Sequence, residues 1–254
     1  LTEQFQENEM KITIVTDTDA LANAVADFFI AQSQASIQEN GRFAVALSGG
    51  NTPRQLYARL AKPDLASRVS WEAVHLFWGD ERCVPPDHAD SNYRMAMESL
   101  RVPIPAQNIH RVQGELAPEE AAARYENELR SFFGDAPRFD LILLGLGDDG
   151  HTASLFPFSP TLHERTLWVA AVAHETPPPP LVPRVTLTLP VLNAARQIVF
   201  LVSGAGKAER LAEVLHAPTA SHPLPASMIQ PDNGELLWLM DKPSAAHITT
   251  DRFG

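Results

Sequence analysis

Two stretches without a polar side chain, residues 141–144 (Leu-Ile-Leu-Leu) and 198–202 (Ile-Val-Phe-Leu-Val), constrain the fold of this chain more than any other feature. Each is far shorter than the run of about 20 apolar residues that a membrane-spanning helix needs. Neither leaves a face for water, so both predict strands buried on two sides, and such strands belong to mostly parallel sheets with helical crossovers. Residues 12–16, 43–47, 74–78, 168–172 and 236–240 predict further strands. Between them, Asp17, Thr18 and Asp19 open a predicted helix that runs to about Gln38 and closes at Asn40-Gly41. Pro53 suits the first turn of a second helix, to about Leu60; others are predicted over 92–100, 118–133 and 207–216. Residues 79–91 read as a long loop, and Pro177-Pro178-Pro179-Pro180 as an extended, polyproline-like connection. The predicted class is α/β, with ligands expected beyond the carboxyl ends of the strands.

A length of 254 residues suits one domain spanning 1–254, and 44% apolar residues are enough for a substantial core. Residues 1–10 are polar and acidic, a candidate disordered start without the basic and apolar regions of a leader. With the single Cys83, which permits no internal disulfide, this predicts a reducing, cytoplasmic setting. The nine histidines form no HExxH and no paired Cys/His spacing, so no metal site is predicted. A net charge of -11 excludes a general nucleic-acid binder, and no membrane partner is expected. A small anion could bind only where basic side chains and backbone N–H groups outweigh that field.

Four segments near strand ends carry candidate chemistry. In Ser48-Gly49-Gly50-Asn51-Thr52-Pro53, glycines allow a close backbone approach and a helix start offers N–H groups to an anion. The same residues would also serve as a tight strand-to-helix turn. They match neither GxGxxG nor a P-loop, which disfavours dinucleotide and ATP sites. In Asp80-Glu81-Arg82, the arginine could hold a phosphate through two parallel hydrogen bonds and the carboxylates could do acid–base work. Composition alone favours a surface ion-pair cluster, and Asp90-Ser91-Asn92-Tyr93 reads as an ordinary helix cap. In Gly145-Leu146-Gly147-Asp148-Asp149-Gly150-His151, Asp149 lies close enough in sequence to orient His151. Histidine suits general-base work near neutral pH because its reference pKa is about 6.5. The last segment is basic: Arg184 in Arg184-Val185-Thr186, and Lys207 in Gly204-Ala205-Gly206-Lys207 at a helix start.

Taken together, these segments resemble the 6-phosphogluconolactonase family, within a wider group that includes the glucosamine-6-phosphate deaminases. The matching pieces span most of the chain in order: residues 48–53, 80–82, 145–157, 184–186 and 204–207. The resemblance implies a three-layer Rossmann-like sandwich similar to glucosamine-6-phosphate deaminase. It also implies no metal or organic cofactor, and a role in the oxidative pentose phosphate pathway. After Asp-Gly-His, a deaminase continues Ile-Ala-Phe-Asn-Glu-Pro, whose glutamate assists its histidine. Here Thr152-Ala153-Ser154-Leu155-Phe156-Pro157 lacks that carboxylate, which is the lactonase wording. The expected activity is hydrolysis of 6-phosphogluconolactone, with His151 as general base, Asp149 orienting it and Asp80 as a reserve acid–base or hydroxyl-binding group. Ser48, Gly49, Gly50, Asn51, Thr52, Arg82, Arg184 and Lys207 are expected to bind the substrate. The alternatives are a glucosamine-6-phosphate deaminase and a non-enzymatic sugar-phosphate sensor. The expected partner is a phosphorylated lactone, taken by a monomer or small homo-oligomer.

Overall fold

The computed structural model describes residues 10–216 and 223–248. In chain order the strands are β1 (Met10–Val15), β2 (Phe43–Leu47), β3 (Val74–Trp78), β4 (Asp80–Arg82), β5 (Leu141–Leu144), β6 (Val169–Val172), β7 (Arg184–Leu187), β8 (Gln197–Val202) and β9 (Glu235–Asp241). The helices are α1 (Thr18–Asn40), α2 (Asn51–Leu60), α3 (Pro63–Ala66), α4 (Asn92–Leu100), α5 (Pro118–Phe133), α6 (Leu189–Asn193) and α7 (Ala208–His216).

Six strands form one parallel sheet in the order β1-β9-β8-β5-β2-β3. Its two-residue side-chain period sends alternate residues to opposite faces. Val45, Leu141, Leu143, Val199 and Leu201 pack with α1, α2 and α4. Their neighbours Ala44, Ile142, Leu144, Ile198 and Phe200 pack with α5, α7 and the chain around β6 and β7. Continuous apolar strands are thus the signature of a sheet sandwiched between helices.

The helix ends follow local chemistry. Asp17 caps α1 by accepting from Ala20 N at 2.8 Å, and Gly41 closes it at φ 75°, a left-handed conformation that favours glycine. Pro118 sits in the first turn of α5, followed by Glu119 and Glu120. Among the described residues, no helix is long and apolar enough to cross a membrane.

Four expectations change. Met10 is part of β1, so the polar start ends sooner than residue 10; residues 1–9 lie outside the described residues. The segment 79–91 is not all loop: its first residues form β4, which pairs antiparallel with β7, itself paired with β6. This small second sheet has strands of three and four residues, too short for an apolar period to register. Lys207 precedes α7 in a single 3-10 turn, Ala205–Lys207. The four prolines run through a series of bends over residues 176–179 and are not a straight extended connection.

Candidate active site

The loops after β2, β3, β5 and β8 converge because those strands are neighbours in the sheet. From β2 the chain leads outward to β3 on one side, whereas from β5 it leads to β8 and β9 on the other. A crevice opens where the direction reverses, which is where parallel sheets bind ligands. It holds a cavity of about 230 Å³ lined by residues from all four loops, together with Arg184 and the proline segment.

Loop 145–151 folds around His151. Gly147 N donates to His151 O at 2.9 Å and Gly150 N to Gly147 O at 3.1 Å. A Cβ at Gly147 would lie 2.0 Å from His151 Nδ1, so only glycine leaves room for the ring. Asp149 Oδ1 accepts twice from His151, from the main-chain N at 3.0 Å and from ring Nδ1 at 2.5 Å. Burial alone would raise the Asp149 carboxyl, but these bonds outweigh it and hold the group below the usual carboxylate range. A carboxylate facing Nδ1 assigns the proton to that nitrogen and leaves Nε2 with a lone pair. The Phe156 ring packs on the imidazole, centroid to centroid 4.7 Å, and His174 stacks behind it at 4.2 Å.

The second sheet supplies the positive charge. Arg82 on β4 and Arg184 on β7 are directly opposite in register, and Arg184 is 4% exposed. Like charges placed opposite one another in a sheet destabilise it unless something answers them. Arg82 donates to Asp90 O at 2.6 Å; Arg184 donates to Pro180 O at 3.0 Å and Val182 O at 3.3 Å. Among the described residues neither bonds a carboxylate, and Arg82 Nε is buried without a partner. Burial pulls the Arg184 guanidinium below its ordinary value, and Arg82 adds to this against the opposing pull of Asp80. Such a pair, with no carboxylate hydrogen-bonded to it, suits an anion with several acceptor oxygens. Lys207 reaches the same cavity and forms an ion pair with Asp148.

Loop 48–50 is held by Tyr57, whose buried hydroxyl accepts from Ser48 N at 3.0 Å and donates to Ser48 O at 2.8 Å. Gly50 adopts φ 102° as it enters α2, where an L side chain would be strained. Tyr125 grips the end of β3 in the same way, accepting from Trp78 N at 2.8 Å and donating to Trp78 O at 2.9 Å. Asp80 is buried, and its Oδ2 accepts from Ser154 Oγ at 2.6 Å.

Of the residues expected from sequence, Ser48, Gly49, Gly50, Asp80, Arg82, His151, Arg184 and Lys207 line one cavity. Asp149 stands behind His151, and Asn51 and Thr52 lie in the first turn of α2 outside the lining. Glu81 caps a helix: it accepts from Asn92 N and Tyr93 N, both at 2.7 Å, and from Ser91 Oγ at 3.1 Å. Asp148, Ser154 and Asn92 were not singled out by sequence. Asn92 stands in what reads as a helix cap, and Ser91 does cap α4; nothing in the sequence separates that role from the site.

The family model described as glucosamine-6-phosphate isomerases/6-phosphogluconolactonase matches residues 16–238. The chain is 42% identical to the 6-phosphogluconolactonase of Nostoc sp. over 246 residues, covering 94% of this chain and 98% of the relative. Its fold is similar to that of the 6-phosphogluconolactonase from Trypanosoma brucei, with a TM-score of 0.87 at 30% identity over 96% of this chain and all of the other. A monomeric glucosamine-6-phosphate deaminase shares the fold with a TM-score of 0.77 at 21% identity, covering 94% of this chain and all of the other. The chain belongs to the glucosamine-6-phosphate isomerase/6-phosphogluconolactonase family.

Proposed function

We propose that this chain is a single-domain 6-phosphogluconolactonase, converting 6-phospho-D-glucono-1,5-lactone to 6-phospho-D-gluconate, the second step of the oxidative pentose phosphate pathway. The observation that carries this reading is the Asp149–His151 pair set in a cavity with two guanidiniums, neither of which hydrogen-bonds a carboxylate among the described residues.

With its Nδ1–H donated to the Asp149 carboxylate, His151 takes a proton at Nε2 from water as the water oxygen bonds to the lactone carbonyl carbon. The tetrahedral oxyanion is stabilised by cations or backbone N–H groups of the cavity. Its collapse breaks the bond to the ring oxygen, which takes the proton back from Nε2. The product acid then ionises to solvent. Residues 48–52 at the start of α2, together with Arg82, Arg184 and Lys207, share the phosphate and the carboxylate being formed. Asp80, held by Ser154, faces the sugar hydroxyls.

The deaminase reading loses support at His151. The side chain packed on its ring is Phe156, and its carboxylate partner is Asp149 alone among the described residues. The substrate is a small phosphorylated lactone, with neither nucleic acid nor membrane as partner, for a monomer or small homo-oligomer. The single Cys83 suits the cytoplasm.

The test is hydrolysis of lactone freshly made from glucose 6-phosphate by its dehydrogenase, followed against the spontaneous background. Hydrolysis above background with no ammonia released from glucosamine 6-phosphate supports the lactonase. The reverse pattern overturns it.

A further inference from the structure

Asn92 begins α4, and its amide is buried, 1% exposed, in the cavity wall between Asp80 and loop 48–50. Its Nδ2 donates to the Asp80 main-chain carbonyl at 2.9 Å and reaches Asp80 Oδ1 at 3.5 Å. Turning the amide over would set its oxygen against the Asp80 carbonyl, which can only accept. Oδ1 therefore faces Gly49, where a Cβ would come within 2.0 Å of it and within 2.6 Å of Cγ. Among the described residues Oδ1 is buried and has no hydrogen-bond partner. A buried amide oxygen left unpaired costs free energy that an apolar side chain would avoid, so stability alone does not explain its presence. The residue is also fixed in place by its main chain, through Glu81 at the start of α4.

We infer that Asn92 is a positioning residue, a spacer that sets the gap between anion loop 48–50 and Asp80, with Gly49 bare so that the amide fits. Through its activity assay this rests on the lactonase reading. It makes the two residues a matched pair: one supplies volume, the other yields it.

The test is a double-mutant cycle read as kcat/KM. Asn92→Ala should lower kcat/KM by about 10- to 100-fold, as loss of a buried polar contact does. Gly49→Ala should cost at least as much in the unaltered background, yet less than about threefold when added to Asn92→Ala, because the three atoms nearest the new Cβ all belong to the Asn92 amide and are then gone. Asn92→Asp keeps the shape but turns an oxygen toward Asp80, and protonation of that oxygen restores a donor. Its deficit relative to the unaltered enzyme should therefore shrink by at least about fivefold between pH 8 and pH 5, a signature that a purely structural role would not give. Additive costs in the cycle, wild-type kcat/KM in Asn92→Ala, or a deficit flat with pH would each overturn the proposal. Should Gly49→Ala fail to fold, the Asn92→Asp profile decides alone. An unaltered protein inert toward the lactone sinks the lactonase reading by itself, and the cycle is then read as the dissociation constant of inorganic phosphate.

Discussion

Under the proposed mechanism His151 and Arg184 should fail in different ways when removed, and the difference would assign them. In that mechanism His151 acts as the proton moves, so His151→Ala should lower kcat by roughly 10²- to 10⁴-fold. Near-wild-type turnover would take it out of the mechanism. If Arg184 holds the phosphate, an anion present equally before and during reaction, Arg184→Ala should raise KM with kcat little changed. A fall confined to kcat would instead place its guanidinium at the reacting carbon. Lysine is not an adequate substitute there. Arg184 spends two N–H groups on Pro180 O and Val182 O, and a single ammonium cannot hold both carbonyls and still face the cavity as a planar fork.

At the scale of elements, the strand ends beside the site are gripped by tyrosine hydroxyls that each bond both polar main-chain groups of one residue. Removing either hydroxyl leaves a buried N–H and C=O without a partner. Tyr57→Phe and Tyr125→Phe should therefore each cost about 1–3 kcal/mol of stability in urea unfolding. Tyr57→Phe should also raise KM, since Ser48 then loses its anchor, whereas a variant with unchanged stability and KM would deny the clamp any role. These contacts also mark how far the sequence could be read. Phe43–Leu47, Val74–Trp78, Leu141–Leu144 and Gln197–Val202 announce themselves through nearly unbroken apolar runs buried on both faces, only His75 and Gln197 being part-exposed. The Asp149–His151 pair is legible because its members are two residues apart. Tyr57 and Tyr125 read only as apolar helix residues, and their partners are 9 and 47 residues away. Ser154 bonds Asp80 across 74 residues, and β4 is too short to show a period; neither fact has a local signature. Glu81 fits an acid–base role in sequence as well as Asp80 does, and only the placement of α4 makes it a cap.

For the molecule as a whole, acid stability should depend on a histidine outside the site. His75 on β3 lies against His110, with Nδ1 to Nε2 at 3.1 Å, and against the Phe132 ring. Burial, then His110 and Arg42, push it down to about 4 from 6.5. Between those values the unfolded chain binds more protons than the folded one. Folding free energy is therefore fully available above about pH 6.5 and is lost as pH falls toward 4. His75→Phe should flatten that slope when urea midpoints are compared at pH 7 and pH 5, and an unchanged slope would show that His75 is not its source.

The cavity takes its walls from loops that stand far apart along the chain, from Ser48 to Lys207. Its cation pair exists only once residues 80–82 have paired with 184–186, more than a hundred positions later. Synthesis runs in one direction, so a growing chain can complete loop 48–50 and still have no Arg184 to set beside Arg82. Under the proposed mechanism catalysis should therefore begin all at once and late, after the last of these loops has emerged, and a half-made copy of this protein should be chemically silent.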